Sequence, residues 1–168
     1  MNKITIIGCP GSGKSTLSFK LEKLLKFPVL HLDKIYHIDN THHISRDELV
    51  AKVNEFAIKN KNWIIDGNYI STVEQRIKLA DTIIILDIDT NVCVNNALDR
   101  TKKDRGADMA AGFDNSQVSD EFINFIKDFK TKSLPKIMEL VEVYKHEKQF
   151  LIFNNYTQID KFLEELKK

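Results

Sequence analysis

The chain has no excess of charge, no long apolar run and almost no cysteine. Its 25 lysines and arginines offset 24 acids, so no global basic field exists of the kind that by itself draws nucleic acid or an anionic membrane. Any anion it binds must be held by local groups. No apolar stretch approaches the roughly 18 residues of a membrane-spanning helix, and the amino end shows no signal-peptide pattern. Cysteine is confined to Cys9 and Cys93, which stand in unrelated contexts without metal or redox spacing, as expected of reduced thiols. These absences predict a cytoplasmic chain with no membrane partner. No repeat, linker or low-complexity tract divides it. The 168 residues suffice for a single domain, 1–168, burying roughly 70% of its unfolded surface.

Against that neutral background one stretch dominates, Ile4 to Leu21. Ile4-Thr5-Ile6-Ile7 is β-branched and apolar without alternation, as suits a strand buried on both faces. Gly8-Cys9-Pro10-Gly11-Ser12-Gly13-Lys14-Ser15-Thr16 then meets the phosphate-loop pattern G-x-x-x-x-G-K-[ST] at every fixed position. Glycines at 8, 11 and 13 let backbone amides converge on anionic oxygens. A helix opening near Gly13, with Leu17, Leu21, Leu24 and Leu25 at helical spacing, adds its positive terminus. Lys14 reaches the β- and γ-phosphates as a point charge, and Ser15 offers its hydroxyl to Mg²⁺. Cys9 sits inside the loop, where a helix terminus can depress a thiol pKa or where it can serve as a small filler.

Further strands are predicted at Val29–Leu32, Trp63–Ile65, Thr82–Leu86 and Phe150–Phe153, separated by helical patterns. Three of them end in an acid: Asp33, Asp66 and Asp87. Carboxylates at strand carboxyl ends point into the crevice where open α/β sheets bind ligands. Asp33 is a candidate to bind or deprotonate an acceptor. Asp66, followed by Gly67, and Asp87 compete for the Mg²⁺ role. Ser45 and Glu48 form a capping box for a helix running to about Lys59. Arg46 opens that helix and either grips a substrate or is simply solvated. Tyr69 and Arg76 follow the Asp66-Gly67 pair, and Arg76 falls on a short helix as a weaker clamp. His37, His42 and His43 cluster without a carboxylate or cysteine at ligand spacing. Arg100-Thr101-Lys102-Lys103-Asp104-Arg105-Gly106 reads as a basic flap. Helical patterns follow at Val118–Phe129, after Ser133 with Pro135 in the first turn, and at Thr157–Leu166.

Such alternation argues for an all-parallel sheet, since parallel strands need crossover connections. The phosphate loop, Asp66-Gly67 and the basic segment resemble the adenylate kinase-like P-loop kinases. More narrowly, His31-Leu32-Asp33, Asp66-Gly67-Asn68-Tyr69, Ala80-Asp81, and Ala107-Asp108-Met109 with Gly112 and Glu121-Phe122 resemble the bacterial topology modulation proteins, from residue 1 to about Phe129. The resemblance implies a P-loop NTPase three-layer sandwich: a five-stranded parallel sheet in the order 2-3-1-4-5, helices on both faces, and a short basic lid over about 100–117. It departs from adenylate kinases in having Asn68, Tyr69 and Ile70 where a proline and a gripping arginine follow the Asp-Gly pair.

The expected chemistry is Mg²⁺-dependent transfer of a phosphoryl group from ATP to a small acceptor such as a nucleoside or nucleotide. Lys14, Arg100 and Arg105 would surround the transferring group, and Asp33, Arg46, Asp66, Tyr69 and Arg76 would line the acceptor side. The rival expectation is a nucleotide-dependent regulator of DNA topology with little kinase activity, acting as a monomer or homodimer. Near-neutral charge weighs against strong duplex binding. No guanine-reading segment stands near Thr90–Asn96, which ranks a GTPase switch last.

Overall fold

The structure, a computed structural model, describes residues 1–39, 41–99 and 118–167. Its strands are β1 (Lys3–Gly8), β2 (Val29–His31), β3 (Trp63–Asp66), β4 (Thr82–Leu86) and β5 (Gln149–Phe153), all parallel and ordered β2-β3-β1-β4-β5. The predicted order is the observed one. The interior strands need no polar face because helices cover both sides: Ile4, Ile6, Ile7, Trp63, Ile64, Ile65 and Ile83 through Leu86 are buried.

Helix α1 (Lys14–Leu25) follows the loop from β1 and turns Leu17, Ser18 and Leu21 inward. It stops where Lys26 adopts the left-handed conformation and donates its amide to the Glu22 carbonyl, 2.8 Å away, just before Pro28. α3 (Arg46–Lys59) carries the expected capping box, with Ser45 and Glu48 each bonding the other's backbone. α4 (Val73–Leu79) packs on β1, α3 and α7 (Leu134–Tyr144), which makes one helical layer; α1 and α8 (Tyr156–Glu165) make the other, tied by Lys20 and Asp160. α5 (Thr90–Asp99) and α6 (Asp120–Asp128) contact each other over the carboxyl rim of the sheet.

Two local expectations change. The second strand ends at His31, and Leu32–Tyr36 is a short helix, α2, so Asp33 lies in a helical first turn and not at a strand end. A carboxylate there complements the helix dipole, and five residues are too few to show a helical period. The two helices expected on either side of Ser133 are instead continuous. A π turn at Phe129–Ser133 joins α6 to α7, and Pro135 sits in the first turn of α7. The basic lid expected over about 100–117 lies outside the described residues, as does the Ala107-Asp108-Met109 motif.

The loop after β1 packs directly against α5. A Cβ on Gly11, whose φ is +84°, would stand 2.1 Å from the Cys93 carbonyl oxygen. Gly11→Ala therefore meets both left-handed strain and a backbone clash, and should lower unfolding stability by at least about 2 kcal/mol. Urea denaturation of the two proteins checks this; coincident midpoints would mean that α5 is not seated on the loop.

Candidate active site

The loop from Gly8 to Ser15 closes around its own Cys9 carbonyl. That oxygen accepts from the Ser12 amide at 3.1 Å and from Lys14 Nζ at 2.9 Å. Lys14 is thereby folded back over the mouth of the loop. Ser12 is fully buried, and its Oγ has no hydrogen-bond partner among the described residues, an unmet polar atom inside a ring of backbone amides. α1 has no acidic residue in its own first turn and no side-chain cap at Gly13, so neither offsets its N-terminal amides. These features suit a polyphosphate.

Cys9 and Cys93 do not lie in unrelated contexts, as their sequence positions suggest. Both are buried at the loop, and the neighbouring Cys93 thiol together with burial pushes the Cys9 thiol up, away from the thiolate. Cys9 is thus a filler; its Sγ points to the Ile126 carbonyl at 3.7 Å. On the outer side of the loop, Asn96 Nδ2 donates to the Gly11 carbonyl at 2.9 Å and to the Tyr156 hydroxyl at 2.9 Å. A cavity of about 520 Å³ opens there between Gly13, Thr16, Lys20, Asn96 and Tyr156. A hollow of about 760 Å³ lies at the far end, where the strands begin. Its polar groups serve internal bonds: Asp81 accepts from the Asn2 and Lys3 amides, and Lys148 donates to the Lys78 and Ala80 carbonyls.

Asp66 ends β3 beside β1, only 3% exposed. Its Oδ2 accepts from Ser18 Oγ at 2.7 Å and its Oδ1 meets His31 Nδ1 at 2.9 Å. Ser18 Oγ also lies 2.9 Å from the Ser15 carbonyl, and its one proton serves the nearer Asp66 carboxylate, which ties the buried acid to α1. Asp87, on the other side of β1, is held differently. It pairs with Lys130 Nζ at 2.9 Å and accepts from Asn154 Nδ2 at 3.2 Å. The two acids that compete in the sequence therefore differ in environment, one bonded by neutral-capable donors and one by a cation.

Asp33 and Tyr69 meet beyond the carboxyl ends of β2 and β3. The Tyr69 hydroxyl donates to Asp33 Oδ1 at 2.8 Å, and burial, reinforced by the Asp33 charge, pushes the phenol pKa up so that it keeps its proton. Tyr36 packs on Tyr69 with ring centroids 4.6 Å apart and stacks on His43 at 4.7 Å. Gly67 lets Leu32 approach; a Cβ there would stand 2.7 Å from Leu32 Cβ. His42 bonds Asp39 at 2.9 Å, while His37 and His43 form a β-bridge. Among the described residues no group of three or more His, Cys, Asp or Glu side chains is placed to hold a metal ion.

Two arginines differ from expectation in what they touch. Arg76 does not face the crevice: it is wholly buried, and its guanidinium donates to the Gly67 carbonyl at 3.0 Å and Thr5 Oγ1 at 3.2 Å, with the Asn68 and Tyr69 carbonyls at 3.5 Å. Burial lowers its pKa to about 10 against the opposing pull of Asp66. Its charge organises the backbone behind Asp66 and is not offered to a substrate. Arg46 is exposed and reaches the Ser71 carbonyl through Nε and Nη2 at 3.3 and 3.2 Å. Arg100 and Arg105 lie outside the described residues. The sequence alone does not point to Ser18, His31 or Lys130 as site residues. A polar Ser18 on the buried stripe of α1, three positions after Ser15, was the available signal for one of them.

The profile of the phosphoribulokinase / uridine kinase family matches residues 34–133. No curated protein matches the chain. Among solved structures, shikimate kinase from Acinetobacter baumannii in complex with shikimate is 13% identical, with TM-score 0.64, over 99% of this chain and 90% of that one. Deoxyadenosine kinase from M. mycoides with dCMP and dCDP is 15% identical, with TM-score 0.54, over 97% of each chain. The same enzyme with dATP is 14% identical, with TM-score 0.55, over 100% of each. At such identities these likenesses establish a P-loop kinase fold.

If Arg76 supports backbone, Arg76→Met should cost stability before it costs binding, because three carbonyls and a hydroxyl lose their buried donor. We expect about 3 kcal/mol of destabilisation, read as a shifted thermal midpoint. A variant with unaltered melting and selectively impaired turnover would make Arg76 a substrate clamp after all.

Proposed function

Because the chain belongs to the phosphoribulokinase / uridine kinase family, we propose that it moves a phosphoryl group from ATP-Mg to a small hydroxylated or phosphorylated acceptor. One observation carries this reading: the buried Asp66 carboxylate accepts from Ser18 Oγ at 2.7 Å, three residues after Ser15 on the phosphate-loop helix. A cradle for anions and a metal-competent acid are thereby joined at one point. The unmet Ser12 Oγ and the uncompensated start of α1 support the fit of a triphosphate.

In this reading the amides from Gly11 to Ser15 and the Lys14 ammonium hold the donor phosphates. Pro10, Gly8 and Thr16 complete the cradle. Mg²⁺, when bound, would neutralise and orient phosphate oxygens, held by the Ser15 hydroxyl and by Asp66, directly or through water. Asp66 is the acid proposed for that task because it ends the strand beside β1 and is bonded to the phosphate-loop helix through Ser18, whereas Asp87 is held by Lys130. Ser18 and His31 fix both Asp66 oxygens, which limits the reorganisation needed around a cation. The cavity beside Tyr156 and Asn96 is where the donor base would rest.

On the acceptor side Asp33 orients a hydroxyl or takes its proton, with Tyr69 holding Oδ1 in place as a protonated donor. Tyr36 and Tyr69 supply the wall. Arg100 and Arg105 would close over the transferring group, and catalysis would rest on positioning and charge neutralisation. The whole chain, 1–168, acts as one unit in this scheme.

Labelled ATP offered with nucleosides, nucleoside monophosphates and small hydroxylated metabolites tests the activity. Tight ATP binding without transfer to any of them would refute it. Lys14→Ala should reduce ATP affinity or turnover at least about tenfold, on the order of 1.4 kcal/mol. Asp66→Asn should raise the Mg²⁺ concentration needed for half-maximal rate by a similar factor of about ten; an unmoved Mg²⁺ requirement would remove Asp66 from the metal site.

A further inference from the structure

Resting on the kinase reading, we propose that Lys130 is a further phosphate-contacting cation of this site, one that exchanges between the Asp87 carboxylate and the donor phosphates. Its place in the fold is the first support. Lys130 belongs to the π turn between α6 and α7, four residues after Ile126, whose carbonyl lies 3.7 Å from Cys9 Sγ within the phosphate loop. The turn thus continues directly from the helix whose backbone reaches the loop. Single π turns in otherwise α-helical segments recur at functional sites because they redirect one side chain.

The partner is the second support. Lys130 Nζ meets Asp87 Oδ1 at 2.9 Å. Asp87 directly follows Leu86, which is in register with Gly8, the first residue of the loop. Nζ is thus anchored at the rim beside the loop entrance. Cys9 and Cys93 both feel the positive charge of Lys130 as well as that of Lys14, as expected if the two cations flank the same loop.

The electrostatics favour exchange. The side chains are partly exposed, 39% for the lysine and 23% for the aspartate, while the Asp87 Oδ1 that faces Nζ is itself buried and makes no hydrogen bond. The contact is therefore a charge pair without hydrogen-bond geometry, whereas a polyphosphate offers several anionic oxygens to one ammonium. Asp87 does not depend on Lys130 for its position, because its amide donates to the Phe153 carbonyl at 2.9 Å and Asn154 Nδ2 donates to its carboxylate. Lys130 can leave without Asp87 moving. Asp87 is on this account a keeper of the lysine and not a metal ligand.

The test is calorimetric titration of the full chain with ATP-Mg and, separately, with inorganic tripolyphosphate. Lys130→Met should weaken both ligands roughly tenfold, and Lys130→Arg should restore most of the loss. Asp87→Asn should act in the opposite direction and tighten both, since the lysine no longer has a competing partner. The double variant should match Lys130→Met. Circular dichroism melts confirm that each variant is folded. Unchanged tripolyphosphate affinity in folded Lys130→Met would overturn the proposal, as would weaker ATP-Mg binding by Asp87→Asn, which would return Asp87 to the metal. If the unmodified protein binds tripolyphosphate and responds to these substitutions yet transfers nothing, the kinase reading fails and the role of Lys130 stands. If it binds neither ligand, both fall.

Discussion

The site depends on the seating of β1 between β3 and β4. The parallel ladder pairs Ile6 with Asp66 on one side and Gly8 with Leu86 on the other, and the Gly67 amide extends it by bonding the Ile6 carbonyl at 3.2 Å. A phosphate loop therefore leaves the sheet between two strand ends that each deliver an acid. Parallel strands with helical crossovers bring such ends to one rim, while the opposite edge is closed by Asp81, Lys148 and backbone bonds. The site's chemistry is concentrated at the one edge where the backbone can approach a ligand.

Around that seating, polar residues are used in three ways. Asp66 is buried and fixed by Ser18 and His31, so its orientation is set before any cation arrives. Arg76 is buried without a carboxylate at bonding distance among the described contacts, and its donors gather the carbonyls of Gly67, Asn68 and Tyr69 into one geometry. That arrangement holds the Asp66-Gly67 turn rigid from behind, and it makes an arginine that looks like a substrate clamp part of the scaffold. Asp87 is partly buried and paired with the Lys130 ammonium. Removing a bonded buried charge is costly, so the first two arrangements are fixed parts of the fold.

How legible each part was follows from how local its cause is. The phosphate loop could be read because glycine spacing, lysine and hydroxyl act within nine consecutive residues. All five strands could be read to within a residue of their ends, the three interior ones because doubly buried strands are continuous apolar runs. The short helix at Leu32–Tyr36 escaped because a single turn has no period, and its apolar Leu32 imitates a strand residue. Lys130 escaped because its partner lies forty-three positions earlier, as 130 minus 87, and only the crossover brings them together.

By itself the amino-acid sequence determined the parallel α/β architecture, the anion cradle and the acids near the sheet's carboxyl edge, since these follow from short-range periodicity and backbone stereochemistry. Tertiary structure alone decided which acid is fixed by neutral-capable donors and which by a lysine, where Arg76 spends its charge, and that Cys93 lies against the loop. Those outcomes depend on burial and on partners from distant segments, and the electrostatic character of a side chain is set by its neighbours in space.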